Sequence, residues 1–519
     1  MGRQAFYRQK IVTQARSVEA KTLHAYLLGE IRSRRELAPE EAALVAEDAR
    51  EYLLELVDRG PGQIEFPAIR GHDAHRKCRR EDQPEQMVTL AVISDEDAEV
   101  LEEFGVVAMQ VGRMARCIEE AYFKGCLLDW PRLGVLFPFN HQALRERLEP
   151  LWEMGALLPV AGVKKEKRQK MRRLRPALAV ECYLRGEDLS SVRRKLSVSR
   201  TTWRRWWELF CQVGEIGEGD AETTARKLRQ PLALVKSFRE LWEEAQKDSH
   251  LAEKAKQVGL WKLPAPPEGG SHRAFRQLLL ERHCYTPAAA DQFEQELREL
   301  ARRLGSRGRS PGQIVWTGVA QDQPPGRSLG DCRMVSAVLD YLVPEDWALA
   351  HRDRSEELKW ARLTRFATGA YYQGACLSQP DLAFLLGVSV DAVRSAMERH
   401  PKVILPTRGR LADMGPTLSH AEKIVGLYMQ GYTETEVVRR TGHSYESVER
   451  YILDFARVSY LLERGMPPTA IRTVLGCSMR LVEKYVELYH RWSRESGWRM
   501  GRIRLLAQAH LPPEIKKNG

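Results

Sequence analysis

Residues 177–210, ALAVECYLRGEDLSSVRRKLSVSRTTWRRWWELF, decide how the chain is read. Ala179, Val180, Tyr183 and Leu184 mark a first helix that Gly186 can end, because glycine enters the left-handed region without a Cβ clash. A shorter helix is predicted at about 190–196, with Val192 and Leu196 on one face. After a tight turn at Ser197 and Val198, Ser199 is placed to cap a third helix, whose Trp203, Trp206 and Phe210 recur at helical spacing and point inward. Arg200, Thr201, Arg204 and Arg205 are expected to face outward. Short helices, a tight turn and a basic, hydroxyl-bearing last helix are what a helix-turn-helix needs. Its recognition helix must set N-terminal side chains on base edges while cations neutralise flanking phosphates.

The unit recurs, and so does almost everything around it. IVGLYMQGYTETEVVRRTGHSYESVERYILDF from Ile424 aligns with it, and PGQIEF from Pro61 matches PGQIVW from Pro311. QMVTLAVISDEDAEVL from Gln86 aligns, with a short gap, with RMVSAVLDYLVPEDWAL from Arg333. AYFKGCLLDWPRLGVLFPFNHQALR from Ala121 aligns without a gap with AYYQGACLSQPDLAFLLGVSVDAVR from Ala370. KLRQPLALVKSFREL from Lys227 matches VLGCSMRLVEKYVEL from Val474. The separation stays between 245 and 250 residues, the signature of a tandem duplication.

The predicted fold class is therefore mainly α: two copies, each a small α+β subdomain followed by three helix-turn-helix units. The expected boundaries are 1–110 and 111–262 for the first copy, a PAPPEGG-containing linker at 263–272, 273–355 and 356–495 for the second copy, and a tail at 496–519 with a Leu/Ala helix remnant after about Gly501 and a frayed PPEIKKNG end. Strands are expected at 63–69, 87–93, 313–319 and 334–341. In the first unit of each copy, Asp129 and Ser378 precede a proline that opens the second helix, while Asn140 and Ser389 cap the third. GALLPVAGVKK and PKVILPTRGR then read as a strand and turn resembling the wing of a winged helix.

A net charge of +11 favours an acidic partner, usually nucleic acid, and the helix-turn-helix units make double-stranded DNA the expected one. No apolar run approaches the ~18 residues that span a membrane, and no apolar leader is evident at the N-terminus, so a cytoplasmic, nucleoid-associated protein is expected. Nine cysteines without a C-x-x-C pair fit reduced thiols. His72, His75 and Cys78 lack an evident fourth ligand and are assigned to a loop, so no metal and no cofactor is expected. No phosphate loop, nucleophile elbow or H-E-x-x-H helix is present, which leaves no catalytic residue to name.

The DNA-contact candidates follow from position. The first unit offers Asn140, His141, Gln142 and Arg145, and in copy two Ser389 and Arg394. Between the first and middle units runs KKEKRQKMRRLR, whose Lys164, Lys165, Lys167, Arg168, Lys170, Arg172, Arg173 and Arg175 suit a phosphate-tracking arm. Copy two has only Arg408 and Arg410 there. The middle unit offers Ser199, Arg200, Thr201, Arg204 and Arg205, and its twin Ser444, Tyr445, Ser447 and Arg450, with Glu446 among them. The third units add Lys236, Arg480 and Lys484.

In copy two, PGQIVW, PPGRSLGDCRMV, AYYQGACLSQPDLAFLL, DMGPTLSHAEKIV and RRTGHSYESVERYILDF resemble an uncharacterised bacterial family with repeated helix-turn-helix segments. The resemblance implies DNA binding, in some members in a mobile-element setting, and no settled activity. Copy one lacks GPTLSH and TGHS. The single units are also similar to those of resolvases, transposases and sigma-like regulators.

Three functions stay open at this point. One is a sequence-specific DNA-binding protein working as an internal pseudo-dimer or extended array, in transcription regulation or as a recombination accessory factor with a protein partner. Another is a recombination enzyme with acids hidden in the α+β subdomains. The third is a helical scaffold for protein contacts.

Overall fold

A computed structural model of the chain describes residues 3–34, 37–71, 84–216, 220–247, 271–304, 309–323, 329–401, 403, 405–411, 417–441, 445–475, 479–495 and 497–510. His72, His75, Cys78, Ser444 and most of the expected linker lie outside them. The first copy runs α1 (Arg3–Glu19), α2 (Leu23–Arg34), α3 (Pro39–Leu56), β1 (Gln63–Arg70), β2 (Glu85–Ala91), α4 (Glu96–Phe104), α5 (Val106–Phe123), β3 (Cys126–Asp129), α6 (Trp130–Leu136), α7 (His141–Glu153), β4 (Val160–Ala161), α8 (Lys165–Lys170), α9 (Arg175–Leu184), α10 (Leu189–Leu196), α11 (Arg200–Ile216), α12 (Ala221–Leu228) and α13 (Leu232–Lys247). The second runs α14 (Ser271–Glu281), α15 (Pro287–Leu304), β5 (Gln313–Ala320), β6 (Met334–Asp340), α16 (Pro344–His351), α17 (Ser355–Tyr372), β7 (Ala375–Cys376), α18 (Gln379–Leu386), α19 (Val390–Arg399), α20 (Arg408–Leu411), α21 (Thr417–Met429), α22 (Glu434–Thr441), α23 (Tyr445–Glu463), α24 (Pro468–Leu475), α25 (Met479–Glu495) and α26 (Gly497–His510). The fold is mainly helical and duplicated, as predicted.

Two small sheets, ordered β2-β1-β3-β4 and β6-β5-β7, carry the α+β parts. β1 and β2 pair antiparallel with Ile64 opposite Leu90 and Phe66 opposite Val88, all four buried, which the period-2 alternation requires. The GALLPVAGVKK segment supplies β4, which lies parallel to β3. Its counterpart in copy two ends in the single turn of α20.

The repeated PGQI motif has a steric cause. A Cβ on Gly62 would lie 2.2 Å from the Ile93 carbonyl oxygen, and one on Gly312 would lie 2.3 Å from that of Leu342. Each glycine lets the chain after one strand close onto the start of the other, with Ile93 N–H and Leu342 N–H donating to the carbonyls of Gly62 and Gly312. Gly62→Ala should therefore destabilise by about 1–3 kcal/mol through forced backbone displacement. Gly29→Ala, at a helical position with nothing near the added methyl, should stabilise by up to ~1 kcal/mol. Chemical denaturation of the two variants checks the contrast, and equal midpoints would refute it.

The described residues form two compact units, Met1–Gly318 with Val335–Ile404, and Val319–Met334 with Leu405–Gly519. This division does not follow the duplication. The first unit holds both α+β parts, the first helix-turn-helix of each copy, and the middle and third ones of copy one. The second holds the middle and third ones of copy two.

Within the first unit the copies meet through reciprocal contacts, the mark of a two-fold relation. Glu65 N–H donates to the Pro311 carbonyl at 2.9 Å, and Val315 N–H to that of Pro61 at 2.8 Å. Arg59 donates to the carbonyls of Arg309 and Pro311, while Arg309 donates to those of Arg59, Gly60 and Pro61. Deeper in, Arg113 pairs with Asp97 at 2.7 Å and donates to the Phe384 carbonyl at 2.6 Å. Its twin Arg362 pairs with Asp346 at 3.3 Å and donates to the carbonyls of Leu136 and Val135. Each guanidinium thus reaches the C-terminal end of the opposite copy's α6 or α18, where helix carbonyls lack intrahelical donors. A helical layer from both copies, with Leu53, Phe275, Tyr285 and Leu297 in its core, packs α2 and α3 on α14 and α15.

The helices of the second unit cluster around Ile424, Phe455, Ile471, Tyr485 and Leu488. The helix remnant expected in the tail is a full helix, and the PPEIKKNG end lies outside the described residues. α26 extends to His510 and buries Met500, Ile503 and Ala507, a helical stripe that gives it a face to pack.

Candidate nucleic-acid interface

The first helix-turn-helix of copy one is α5, α6 and α7, with β3 between its first two helices. Asp129 caps α6 by accepting from Arg132 N–H, and Asn140 caps α7 by accepting from Ala143 N–H at 2.7 Å, as the sequence predicts. At the start of α7, Asn140, Gln142 and Arg145 are exposed, and the Arg145 guanidinium lies 4.9 Å from the centre of the Trp130 ring. His141 is half-buried, its N–H donating to Asp353 at 3.3 Å.

The basic arm beyond α7 is only partly free to meet phosphate. Lys164 and Arg168 are exposed, whereas Lys167 pairs with Glu149 and Lys170 with Glu153 on α7. Arg172 pairs with Glu181, and Arg173 with Glu181 and Glu244. Arg175 is corrected: it is buried, with a forked ion pair to Glu119 at 2.7 and 3.0 Å, so it anchors α9 to α5 rather than reaching outward. Lys165 lies in α8, and its side chain is not described.

The middle unit folds as read, but its surroundings change its meaning. Asp188 caps α10, Ser197 takes the left-handed conformation at the turn (φ 55°), and Ser199 caps α11 by accepting from Thr202 N–H. Ser199 is buried, which removes it from the DNA contacts. Trp207, not Trp206, joins Trp203 and Phe210 in the aromatic core, with Tyr183, Phe238 and Trp242 around them. Trp206 instead stacks near the Arg175 guanidinium.

Acids pair with the outward face expected of Arg200, Arg204 and Arg205, although the Arg200 side chain itself stays 74% exposed. Arg205 pairs with Glu51 and Glu96 at 2.9 and 2.8 Å, and Arg204 with Glu47 and Glu208. Arg200 pairs with Glu103 at 3.2 Å, and its N–H donates to Glu99 at 2.8 Å. Arg193, fully buried, holds Glu99 and Glu103 together. Thr201 remains half-exposed, and Thr202 donates to Glu96. Burial alone would raise the Glu96 carboxyl, but Arg205 and Arg50 beside it hold it below its usual range. Burial wins at Glu99, whose carboxyl is raised despite the Arg200 N–H and Arg193. Composition gave one sign of these partners: SDEDAEVLEEF is far more acidic than its twin.

A family model described as a protein of unknown function, DUF1670, matches residues 40–241 and again residues 286–488. The chain belongs to the DUF1670 family. None of the curated proteins and none of the solved structures compared with it matches. The two DUF1670 segments coincide with the internal repeat and leave α1, α2, α14 and α26 outside.

In the second DUF1670 segment, Ser389 caps α19 by accepting from Ala392 N–H, and Arg394 is exposed beside Asp391 at 3.4 Å. Arg408 is corrected as a candidate, since it is buried and donates to the Cys332 sulfur at 3.5 Å. Arg450 is exposed, and Tyr445 is exposed with its hydroxyl on Glu434. The side chains of Arg410, Ser447 and Arg480 are not described. Lys484 pairs with Glu422 and Glu487, while Lys236 in the first segment is exposed. Among the described residues no group of three or more His, Cys, Asp or Glu could hold a metal ion, and no helix is long and apolar enough to cross a membrane.

Proposed function

We propose that the chain binds double-stranded DNA through α7 and the 164–172 arm of copy one, with α19 as a second, less basic reader on the other side of the internal two-fold. Supporting this is the exposed cation set Arg145, Lys164 and Arg168, which begins on a capped recognition helix and continues along the arm behind it. Such a surface contributes affinity through counterion release, while Asn140 and Gln142 supply donors and acceptors for base edges. A regulator of transcription or an accessory factor in recombination uses this chemistry. The scaffold reading has its own support in the acid-paired face of α11.

Selecting duplexes from a randomised pool tests the proposal. A bipartite motif should be enriched. Arg145→Ala/Lys164→Ala/Arg168→Ala should weaken binding by on the order of tenfold or more and lower the slope of log K against log salt by about 2–3. An unenriched pool with salt-independent binding would support the scaffold instead.

A further inference from the structure

We infer that the basic face of α11 is a latent phosphate-binding surface, neutralised in this conformation by carboxylates of α3 and α4 that pair with its guanidiniums as DNA phosphates would. The inference rests on the DNA-binding reading and adds a regulated second site to it.

Three observations carry the inference. The carboxylates do to α11 what phosphates do to a recognition helix: Glu99 accepts the free N–H of Arg200 at the helix N-terminus, and Glu103, Glu96, Glu51 and Glu47 take the guanidiniums of Arg200, Arg205 and Arg204. The seam beside them is not close-packed. A cleft of about 1250 Å³, lined among others by Glu51, Glu96, Glu119, Arg205, Trp206 and Leu209, runs between α11 and the helices that cover it.

The duplication supplies an internal control. The buried Asp97 and Asp346, each held by its own arginine pair, fix the register of α4 on α16. In that register Ala348 and Arg352 stand where Glu99 and Glu103 do. Aligning the middle units puts Val438, Tyr445 and Glu449 where Arg193, Arg200 and Arg204 stand. Glu99 and Glu103 and their partners Arg193 and Arg200 are absent from copy two together, while Glu345 and Arg450 keep the positions of Glu96 and Arg205. Paired charges that served only the common fold would have no reason to be confined to one copy; a neutralising device specific to one reader would.

The test uses the full chain and a random-sequence 40-base-pair duplex. Glu99→Gln/Glu103→Gln keeps shape and hydrogen-bond acceptors but removes the anionic competitor. The control Glu222→Gln/Glu243→Gln removes two exposed acids of the same copy, matching the change in net charge. The clamp variant should bind at least about tenfold tighter than the control, with a salt slope steeper by about 2–3, and both gains should vanish on adding Arg200→Ala/Arg205→Ala. Equal binding by the clamp and control variants overturns the inference while leaving the α7 and arm reading standing. A gain in the clamp variant when the Arg145/Lys164/Arg168 triple is without effect supports the inference and removes that reading. Hydrogen exchange on the wild-type chain covers the case of a clamp variant that does not fold. Excess duplex should change protection of the Arg200 and Thr202 amides relative to those of α6, and unchanged protection overturns the inference.

Discussion

Arg362→Ala is expected to cost about 3–5 kcal/mol of stability in the larger unit, among the largest effects of any single substitution here. The guanidinium is 1% exposed, as is its partner Asp346. Its removal leaves the buried Asp346 carboxylate to Arg365 and the Val343 N–H, withdraws the guanidinium donor from the Val135 carbonyl, and leaves the Leu136 carbonyl with the Tyr341 hydroxyl alone. It also takes a cation 4.8 Å from the centre of the Tyr341 ring. Arg362→Lys should recover part of the loss, because a single ammonium cannot fork between an aspartate and two carbonyls. Arg113→Ala should behave like Arg362→Ala by the two-fold relation, since it leaves Asp97 to Arg116 and the Ser94 N–H and takes one of two donors from the Phe384 carbonyl, which keeps the Gly387 N–H. Calorimetry of the full chain reads both. A loss under 1 kcal/mol at either site would show that the reciprocal contacts do not hold the copies together.

Lys21→Met is expected to destabilise by a similar ~3–5 kcal/mol, for a different reason. Lys21 and Asp381 are 1% and 0% exposed, and the ammonium lies 2.6 and 2.5 Å from the two carboxylate oxygens. With the ammonium gone, Asp381 keeps only Ser378 as a hydrogen-bond donor. Adding Asp381→Asn should restore much of the stability, because the amide carries no charge to strand. A double variant as unstable as the sum of the singles would sink this account. The pair ties the end of α1 to α18 of copy two, so α1, which lies outside both family segments, fastens the copies to one another.

Much of this architecture was legible in the chain. The duplication shows as aligned segments at constant separation, and the strands as PGQI followed by alternating apolar residues. The caps Asn140, Ser199 and Ser389 are declared by hydroxyl or amide residues ahead of apolar helical stripes. Those are local signals, set by backbone sterics and by the apolar period, and tertiary structure did not override them. The Trp206 assignment failed because three and four residues are both helical spacings, and only the packing of Tyr183 chose Trp207.

The candidate interface was less legible, for an electrostatic reason. An arginine on a predicted helix looks the same in sequence whether it faces solvent or a carboxylate a hundred residues away. Arg175, Arg205 and Arg408 read as surface cations, yet Glu119, Glu51 with Glu96, and Cys332 meet them across the fold. The sequence by itself determined the duplicated helical fold, the helix-turn-helix units and the excess of positive charge, because periodicity, capping and composition are local or additive. Only the tertiary structure decided which of those charges stay available to a partner. Charge pairing depends on which helices the chain brings side by side, and here it set the acids of α3 and α4 against α11 while leaving Arg145, Lys164 and Arg168 exposed.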